Sequence, residues 1–283
     1  ALFVSFFPQI VQGPISRYSQ LAHQLYEGHS LDYDRIKFGA QLVLWGLFKK
    51  MVIADRAAVI VNTIFNGQNQ YEGFTVFFGA MLYTLQIYGD FSGGIDVARG
   101  IAQIFGIDLV NNFARPLFAT SIEDFWRRWH ITLSSWMRDY VFYPLSLSRV
   151  FVRMGRFFRR TLGASIGKLM PTFTAMVITF LLVGIWHGAN WKFVAYGMYN
   201  GLLIGLGILF GPQVSRLAEK LGFTPGRGFT RGLQILGTFV LVCFGRYFSR
   251  AASFMAALRL LDRTFSSFNP QVIIDGSLLN LGL

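Results

Sequence analysis

The stretch FARPLFATSIEDFWRRWHITLSSWMRDYVFY, residues 113–143, is rich in both aromatic and charged side chains. Ser121 followed three residues later by Asp124, or Thr120 followed by Glu123, is a pattern that begins helices. Beyond it, apolar residues recur at intervals of three and four, which predicts one face of a single helix. These residues are Phe125, Trp129, Leu133, Trp136 and Tyr140. The arginines of such a helix must be hydrated, paired with an anion or held at a membrane surface.

Two histidines stand out against this apolar background. His130 lies beside the aromatic face, one turn from Trp126, and His187 ends the apolar run in GIWHGANW, residues 184–191. An ionisable group inside a membrane span is costly, so its presence predicts a functional site. We therefore expect the two histidines to meet at one site inside a membrane. The structural alternatives are a hydrogen bond from His187 to a neighbouring helix and an interfacial aromatic belt around His130.

The composition is that of a membrane protein. The 283 residues are 53% hydrophobic and 14% charged, whereas a soluble domain is nearer a quarter charged. No acid lies between Tyr140 and Ala218, and the cations there gather before an apolar run, as expected of a cytoplasmic segment. They are Arg149, Arg153, Arg156, Arg159, Arg160 and Lys168. The net charge of +12 therefore indicates contact with membrane lipid, and no nucleic-acid partner is expected.

The order of apolar runs predicts an all-α, polytopic membrane protein. Asp32 or Asp34 can begin a long helix that runs to about Phe65. The uncharged run 73–89 is just long enough to span a bilayer, and 172–191 is a second candidate. The chain begins and ends in apolar sequence, so we expect residues 1–283 to be a single membrane domain cut from a longer chain.

The segment DFSGGID, residues 90–96, has the glycines of a phosphate loop, but no Gly-Lys-Ser/Thr follows it. A break in a helix at membrane depth is the better interpretation, with Asp90 and Asp96 facing a polar interior. Arg138 and Asp139 are adjacent and point to different sides of the helix predicted in residues 113–143. We therefore expect each of them to pair with groups on other helices.

The residue types favour acyl transfer without a covalent intermediate. A neutral imidazole can take a proton from a hydroxyl as that hydroxyl attacks an acyl carbon. We therefore expect direct transfer from the donor to the acceptor hydroxyl, without a serine or cysteine nucleophile. No cluster has zinc or iron spacing, so no metal is expected. Asn190 could orient the base or bind the developing oxyanion, and the single cysteine, Cys243, is expected to pack in the core.

The segments RPLFATSIEDFWRRWHITLSSWMRDYVFYPL and GIWHGANW resemble the membrane-bound O-acyltransferase family, in its bacterial branch of alginate O-acetyltransferases and teichoic acid D-alanyl transferases. FVSFFPQIVQGPISRY, GLFKKMVIADR and YGDFSGGIDVARG extend the resemblance over nearly the whole chain. It implies tilted transmembrane helices around a tunnel, with interfacial and re-entrant helices. It also implies that His187 is the catalytic histidine and His130 the second active-site histidine. The expected supporting residues are Trp126, Trp186, Asn190, Arg138, Asp139, Asp90 and Asp96.

The resemblance further implies a multi-pass enzyme of the bacterial cytoplasmic membrane. An acyl group, most simply acetyl, would pass from acetyl-CoA or a carrier-protein thioester on the cytoplasmic side to hydroxyls of an extracytoplasmic polysaccharide. A partner acetyltransferase could relay it, and no bound cofactor is expected. GANW resembles the alginate branch, whereas the basic insert 149–168 departs from the short glycine-rich turn usual there. The alternatives are D-alanyl transfer to teichoic acid and, from another class, a proton-coupled transporter.

Overall fold

A computed structural model describes residues 2–67, 70–223, 228–267, 269–274, 276 and 281. Within these residues there are helices and no strand, which confirms the all-α prediction. The α-helices are α1 Leu2–Ser5, α2 Phe7–Ile10, α3 Tyr18–Tyr26, α4 Tyr33–Phe48, α5 Asp55–Asn66, α6 Gly73–Ile104, α7 Ile122–Arg128, α8 Ile131–Met137, α9 Tyr143–Ser146, α10 Arg149–Thr161, α11 Gly163–His187, α12 Trp191–Lys220, α13 Gly228–Arg250 and α14 Phe254–Ser266. Shorter turns are π-helical at Lys49–Ala54 and Arg138–Phe142, and 3₁₀-helical at Pro116–Phe118 and Pro270–Ile273.

The chain forms two compact units. The first comprises residues 1–114, 130–133 and 262–283, and the second comprises residues 115–129 and 134–261. The two histidines fall on different sides of this division, because His130 belongs to the first unit and His187 to the second. Each unit is described by itself, and the single-domain organisation remains a prediction.

The first unit contains the long helical path that was predicted from Asp32. The Asp32 carboxylate caps α4 by accepting hydrogen bonds from the backbone nitrogens of Asp34 and Arg35, at 2.9 and 3.2 Å. This satisfies two N–H groups that the first turn of a helix leaves unpaired. The path then continues through the π-helical turn Lys49–Ala54 into α5, so the predicted length to about Phe65 is confirmed.

Helices α4 and α6 run antiparallel and touch through two pairs of glycines. Gly39 and Gly46 are seven residues apart on α4, and Gly93 and Gly100 are seven apart on α6. A Cβ atom on Gly39 would lie 2.7 Å from the carbonyl oxygen of Gly100, and one on Gly46 would lie 2.5 Å from that of Gly93. Because no side chain larger than hydrogen fits there, these glycines set the distance between the two helix axes.

The predicted helix break at residues 90–96 is wrong, because α6 continues through the segment without interruption. Its glycines serve close packing against α4 rather than a bend. Asp96 pairs with Lys49 at 2.7 Å, and both side chains are largely buried, at 15% and 11% exposed. Asp90 pairs with Lys50 at 2.8 Å in a more open position. The two aspartates are thus partners of the lysines that begin the π-helical turn.

The second unit contains three helices that are long and apolar enough to cross a membrane, α11, α12 and α13, and no other helix of the described residues meets that description. Outward-facing apolar side chains such as Ile185 and Leu236, 54% and 58% exposed, are typical of lipid contact. The predicted span 172–191 is part of α11, which begins earlier and ends at His187. The run 73–89 lies in α6, which is not one of the three.

Helices α11 and α12 form a close antiparallel pair through a row of glycines on α12. Gly197, Gly201 and Gly205 recur every four residues, so they lie on one face. Cβ atoms added to them would run into Phe180, Val177 and Phe173 of α11, respectively. This is the small-residue packing expected of membrane helices, and it fixes the end of α11 beside the beginning of α12.

Residues 113–143 do not form the single helix that their periodicity predicts. The predicted cap is confirmed, since the Ser121 hydroxyl accepts from the Asp124 nitrogen at 3.0 Å and the Asp124 carboxylate accepts from the Thr120 nitrogen at 3.1 Å. However, α7 ends at Arg128, Trp129 is extended, and His130 has a φ of +46° before α8 begins. The backbone nitrogen of Ile131 donates to the Asn112 carbonyl instead of to the preceding turn, which explains the break.

Helix α10, Arg149–Thr161, lies in the basic insert 149–168 and is amphipathic. The Ser148 hydroxyl caps it by accepting from the Phe151 nitrogen at 3.4 Å. Phe151 and Gly155 are buried, while Arg153 and Arg156 are exposed on the other side. Gly155 lies directly against Pro171 of α11, so α10 is held to the first membrane-crossing helix of the unit.

Candidate active site

His187 is the last residue of α11, and its ring is exposed among aromatic side chains of the second unit. Its ring centroid lies 4.8 Å from that of Trp186, 6.1 Å from Tyr196 and 6.2 Å from Phe193. Within the described part of the chain, no side chain or backbone group is hydrogen-bonded to its ring nitrogens. Both nitrogens are therefore available to a substrate, as a general base requires.

The residue after His187 fixes the direction in which the chain leaves the helix. Gly188 has a φ of +152°, and a Cβ atom there would lie 2.8 Å from the ring of Phe193. Its nitrogen donates to the Ile185 carbonyl at 3.0 Å, which closes the last turn of α11. Glycine is needed here for both its conformation and its lack of a side chain. The turn leaves the His187 ring between Trp186 and the first turns of α12.

Asn190 is the N-cap of α12, where its side-chain oxygen accepts from the backbone nitrogen of Lys192 at 3.1 Å. This oxygen is therefore engaged in helix capping. The predicted role of Asn190 in orienting the base or binding the oxyanion remains a prediction. Trp186 is 54% exposed and contacts His187 through its ring, so it remains a candidate for lining a substrate path.

Trp126 is buried and supports the His187 site through an intermediate residue. Its indole nitrogen donates to the Asn200 side-chain oxygen at 3.0 Å, and the Asn200 amide donates to the Tyr196 carbonyl at 2.9 Å. The Trp126 ring also packs on Phe180 at 5.0 Å. It therefore anchors α7 to the α11–α12 pair and positions Tyr196, which faces His187.

His130 is buried in the first unit, only 5% exposed, and Asn112 holds it. The Asn112 side-chain oxygen accepts from the Thr132 nitrogen at 3.0 Å and from the Thr132 hydroxyl at 2.9 Å. Its amide nitrogen lies 3.2 Å from Nδ1 of His130. Since the oxygen is already used twice, we assign the amide as the donor to Nδ1, which leaves the ring proton on Nε2. In that tautomer Nε2–H is the hydrogen-bond donor of the His130 ring.

An edge-to-face contact supports the His130 ring from α6. The ring centroids of Phe91 and His130 are 4.7 Å apart, and Phe91 in turn packs against Phe113 at 5.1 Å. Phe91 lies between Asp90 and Ser92, so α6 presents an aromatic ring to His130 from the glycine-rich segment. The predicted meeting of His130 with His187 remains a prediction.

Arg138 and Asp139 pair with each other, contrary to the prediction. The Arg138 guanidinium donates to the Asp139 carboxylate at 3.2 Å, and the two side chains are 57% and 41% exposed. The π-helical turn that begins at Arg138 changes the usual spacing of side chains, and the long arginine reaches its neighbour. No group of three or more metal-binding side chains occurs in the described ranges.

The sequence interpretation missed Asn112, Tyr196, Asn200 and Arg246. Asn112 is fully buried beside the backbone break at His130. Arg246 lies within α13, which continues to Arg250 and buries it. For Tyr196, Asn200 and Arg246, the sequence signal was a polar residue inside an apolar helix.

Residues 1–224 match the sequence profile of the membrane-bound O-acyltransferase family. The chain is 34% identical over 92% of its length to the peptidoglycan O-acetyltransferase of Helicobacter pylori. It is 32% identical over 94% of its length to the probable alginate O-acetylase of Pseudomonas aeruginosa. It is also 29% identical over 87% of its length to the teichoic acid D-alanyltransferase of Bacillus subtilis. The matches cover 45%, 45% and 59% of these relatives, so the chain spans about half their length.

Proposed function

Because the chain belongs to the membrane-bound O-acyltransferase family, we propose that it carries the histidine centre of an enzyme that O-acylates an extracytoplasmic polysaccharide. The observation that carries this proposal is the position of His187. It ends a membrane-crossing helix, its ring is accessible, and neither ring nitrogen is engaged by a described residue. A proton-coupled transporter, the alternative from another class, finds no support in the family membership.

In the proposed reaction His187 acts as the general base. Its imidazole would take the proton from an acceptor hydroxyl as the hydroxyl oxygen attacks the carbonyl carbon of a thioester. The carbon–sulfur bond would then break, and the leaving sulfur would recover the proton from His187. The rings of Trp186 and Phe193 would lie beside the imidazole while it holds that proton.

His130 would have a different part in the same reaction. With Nδ1 facing the Asn112 amide, the ring proton of His130 lies on Nε2. A donor of this kind would orient the acceptor or the donor carbonyl rather than remove a proton. The two histidines would therefore differ in protonation, and their loss should affect the reaction differently.

An acetyl group is the favoured acyl group, because the peptidoglycan and alginate relatives are named as acetyl-transferring enzymes. The donor would be acetyl-CoA or a carrier-protein thioester, supplied from the cytoplasmic side of the bacterial membrane. D-alanyl transfer to teichoic acid is the second candidate, since a relative with that name is 29% identical. A separate acetyltransferase could pass the group on to the final glycan.

The full-length protein carrying His187→Ala tests the proposal. We expect O-acetylation of the surface polysaccharide to fall by about 10²–10⁴, the usual contribution of a general base. Protein abundance in the membrane should be unchanged. The matched control is His23→Ala, because His23 is an exposed histidine of the first unit. Near wild-type acetylation by His187→Ala at equal abundance would contradict the proposal. If the wild-type protein transfers D-alanine in place of an acetyl group, the second candidate is selected.

A further inference from the structure

Arg246 is a buried cation in the last turns of an apolar helix. It lies on α13, one of the three membrane-crossing helices, and is only 2% exposed. A guanidinium stays charged in proteins, so its burial is costly unless an anion or polar groups compensate it. No carboxylate of the described residues forms an ion pair with it.

Two of the three guanidinium nitrogens of Arg246 have no hydrogen-bond partner among the residues that the structure describes. Nη1 donates to the Tyr196 hydroxyl at 3.3 Å, whereas Nε and Nη2 donate to no group within the described part of the chain. Nε and one Nη form the edge with which arginine binds two oxygens at once. Buried donors are almost always satisfied, so an empty edge of this kind points to a ligand.

Aromatic rings hold the guanidinium in a fixed orientation. Its central carbon lies 4.9 Å from the ring centroid of Trp129 and 6.0 Å from that of Phe125. Contacts of this kind stabilise a desolvated cation without neutralising it. The positive charge therefore remains available to an anion, in surroundings of low polarity where the attraction is strong.

Arg246 and His187 lie at the same end of the helices that carry them. Tyr196 connects the two residues, because its hydroxyl binds Arg246 and its ring lies 6.1 Å from that of His187. The Lys192 ammonium, in the first turn of α12, donates to the Ala251 carbonyl just beyond α13 at 2.7 Å, which holds these helix ends together. Arg246 is also close enough for its charge to act on His187.

We infer that Arg246, held by Tyr196 and Trp129, forms an oxyanion-binding site beside His187. This rests on the proposed function, because it gives a place to the charge that develops in that reaction. As the acceptor oxygen bonds to the thioester carbon, the carbonyl electron pair moves onto the carbonyl oxygen, and the hydroxyl proton passes to His187. The new oxyanion would accept hydrogen bonds from Nε–H and Nη2–H of Arg246. When the carbonyl re-forms, the carbon–sulfur bond breaks and the sulfur takes the proton back from His187.

The experiment compares two pantetheine thioethers on the purified full-length protein. Pantetheine is the part that coenzyme A and carrier-protein donors share. One probe carries an S-phosphonomethyl group, which is tetrahedral and anionic, and the other carries an S-(2-oxopropyl) group, which is neutral. Their dissociation constants are measured for the wild type, Arg246→Gln and Arg246→Lys. Arg250→Gln, one turn further along α13, is the matched control.

We expect the wild type and Arg250→Gln to prefer the phosphonate. In Arg246→Gln this preference should fall by about 10²–10³, as when an oxyanion-hole donor is removed. Arg246→Lys should lie between them, because it keeps the charge without the planar fork. An unchanged preference in Arg246→Gln would overturn the inference. If Arg246→Gln does not fold, Tyr196→Phe and Arg246→Lys are measured in its place. An unchanged preference for the phosphonate in both of these variants would also overturn the inference.

Acetyl transfer by the same preparations separates this inference from the proposed function. Arg246→Gln should lower kcat and leave KM for the donor near the wild-type value, because the contact forms only as charge develops. A merely structural arginine would instead lower the melting temperature and affect both probes equally. If the wild type lacks transfer activity but keeps an Arg246-dependent preference for the phosphonate, the proposed function fails and the anion site stands.

Discussion

The side-chain oxygen of Asn112 accepts hydrogen bonds from both the backbone nitrogen and the hydroxyl of Thr132. One buried amide therefore replaces the helical hydrogen bonds that the chain gives up between α7 and α8. Thr132 in turn accepts from the Ile15 nitrogen at 3.0 Å, which extends the network to the beginning of the chain. The backbone at His130 is thus stabilised by residues that are distant in sequence.

Asn112→Ala should destabilise the protein more than Asn111→Ala does. The first change leaves the buried backbone nitrogen and hydroxyl of Thr132 without their acceptor, at about 1–3 kcal/mol for each unsatisfied group. Asn111 is exposed and accepts a single bond, from the Phe113 nitrogen at 3.3 Å. Thermal unfolding of the full-length variants in detergent measures the difference. Equal melting temperatures of the two variants would show that the Asn112 side chain does not stabilise the non-helical backbone between α7 and α8.

Gly93→Ala should destabilise the α4–α6 pair, whereas Gly207→Ala should not harm α12. The first methyl group would lie 2.7 Å from the Gly46 carbonyl oxygen, and the second would meet nothing within 4 Å. Overpacking of this kind costs about 1–3 kcal/mol, while alanine in an open helical position gains roughly 0.5–1 kcal/mol. Unfolding midpoints should therefore move in opposite directions. A Gly93→Ala midpoint at or above that of the wild type would contradict the close contact.

Asp96→Ala should cost much more stability than Asp90→Ala. Removing Asp96 leaves the largely buried Lys49 without its carboxylate, for which about 3–5 kcal/mol is typical. The Asp90–Lys50 pair is more exposed, at 42% and 46%, and Lys50 also binds Asp55 at 2.6 Å, so its loss should cost less than about 1 kcal/mol. The double variant Lys49→Leu/Asp96→Leu should recover part of the loss. Similar unfolding curves for the two single variants would contradict the buried pair.

A cysteine at Arg156 should identify the side of the membrane on which α10 lies. Arg156 is exposed, and the cations around it should keep this helix in the cytoplasm. In intact cells a membrane-impermeant thiol reagent should leave Arg156→Cys unlabelled, and permeabilised cells should label it. Cys243 is fully buried and serves as the internal control. Ready labelling in intact cells would place α10 on the outside.

Local signals in the sequence predicted the fold well where a helix end depends on nearby residues. Asp32 and Ser121 cap their helices as expected, and His187 ends an apolar helix as expected. Each of these depends on groups only a few residues away. The same reasoning places the basic face of α10 correctly.

Features that depend on a distant partner were predicted poorly. The glycines of residues 90–96 suggest a break until the seven-residue spacing of Gly93 and Gly100 is compared with that of Gly39 and Gly46. The aromatic periodicity across residues 125–140 suggests one helix, because Asn112, which supports the break, precedes it in the sequence. Arg246 ends an apolar run by composition, and only the packing of α13 shows that it is buried.

Because His130 has a positive φ, its side chain and its backbone conformation can both matter for activity, and an alanine substitution would change both at once. Alanine at this position would remove the imidazole and would also strain a backbone that L-residues with a Cβ rarely adopt. Asparagine tolerates this conformation better, so His130→Asn removes the ring while keeping the turn. A loss of activity in His130→Asn would therefore belong to the imidazole, and a further loss in His130→Ala would measure how much the enzyme depends on the shape of its backbone.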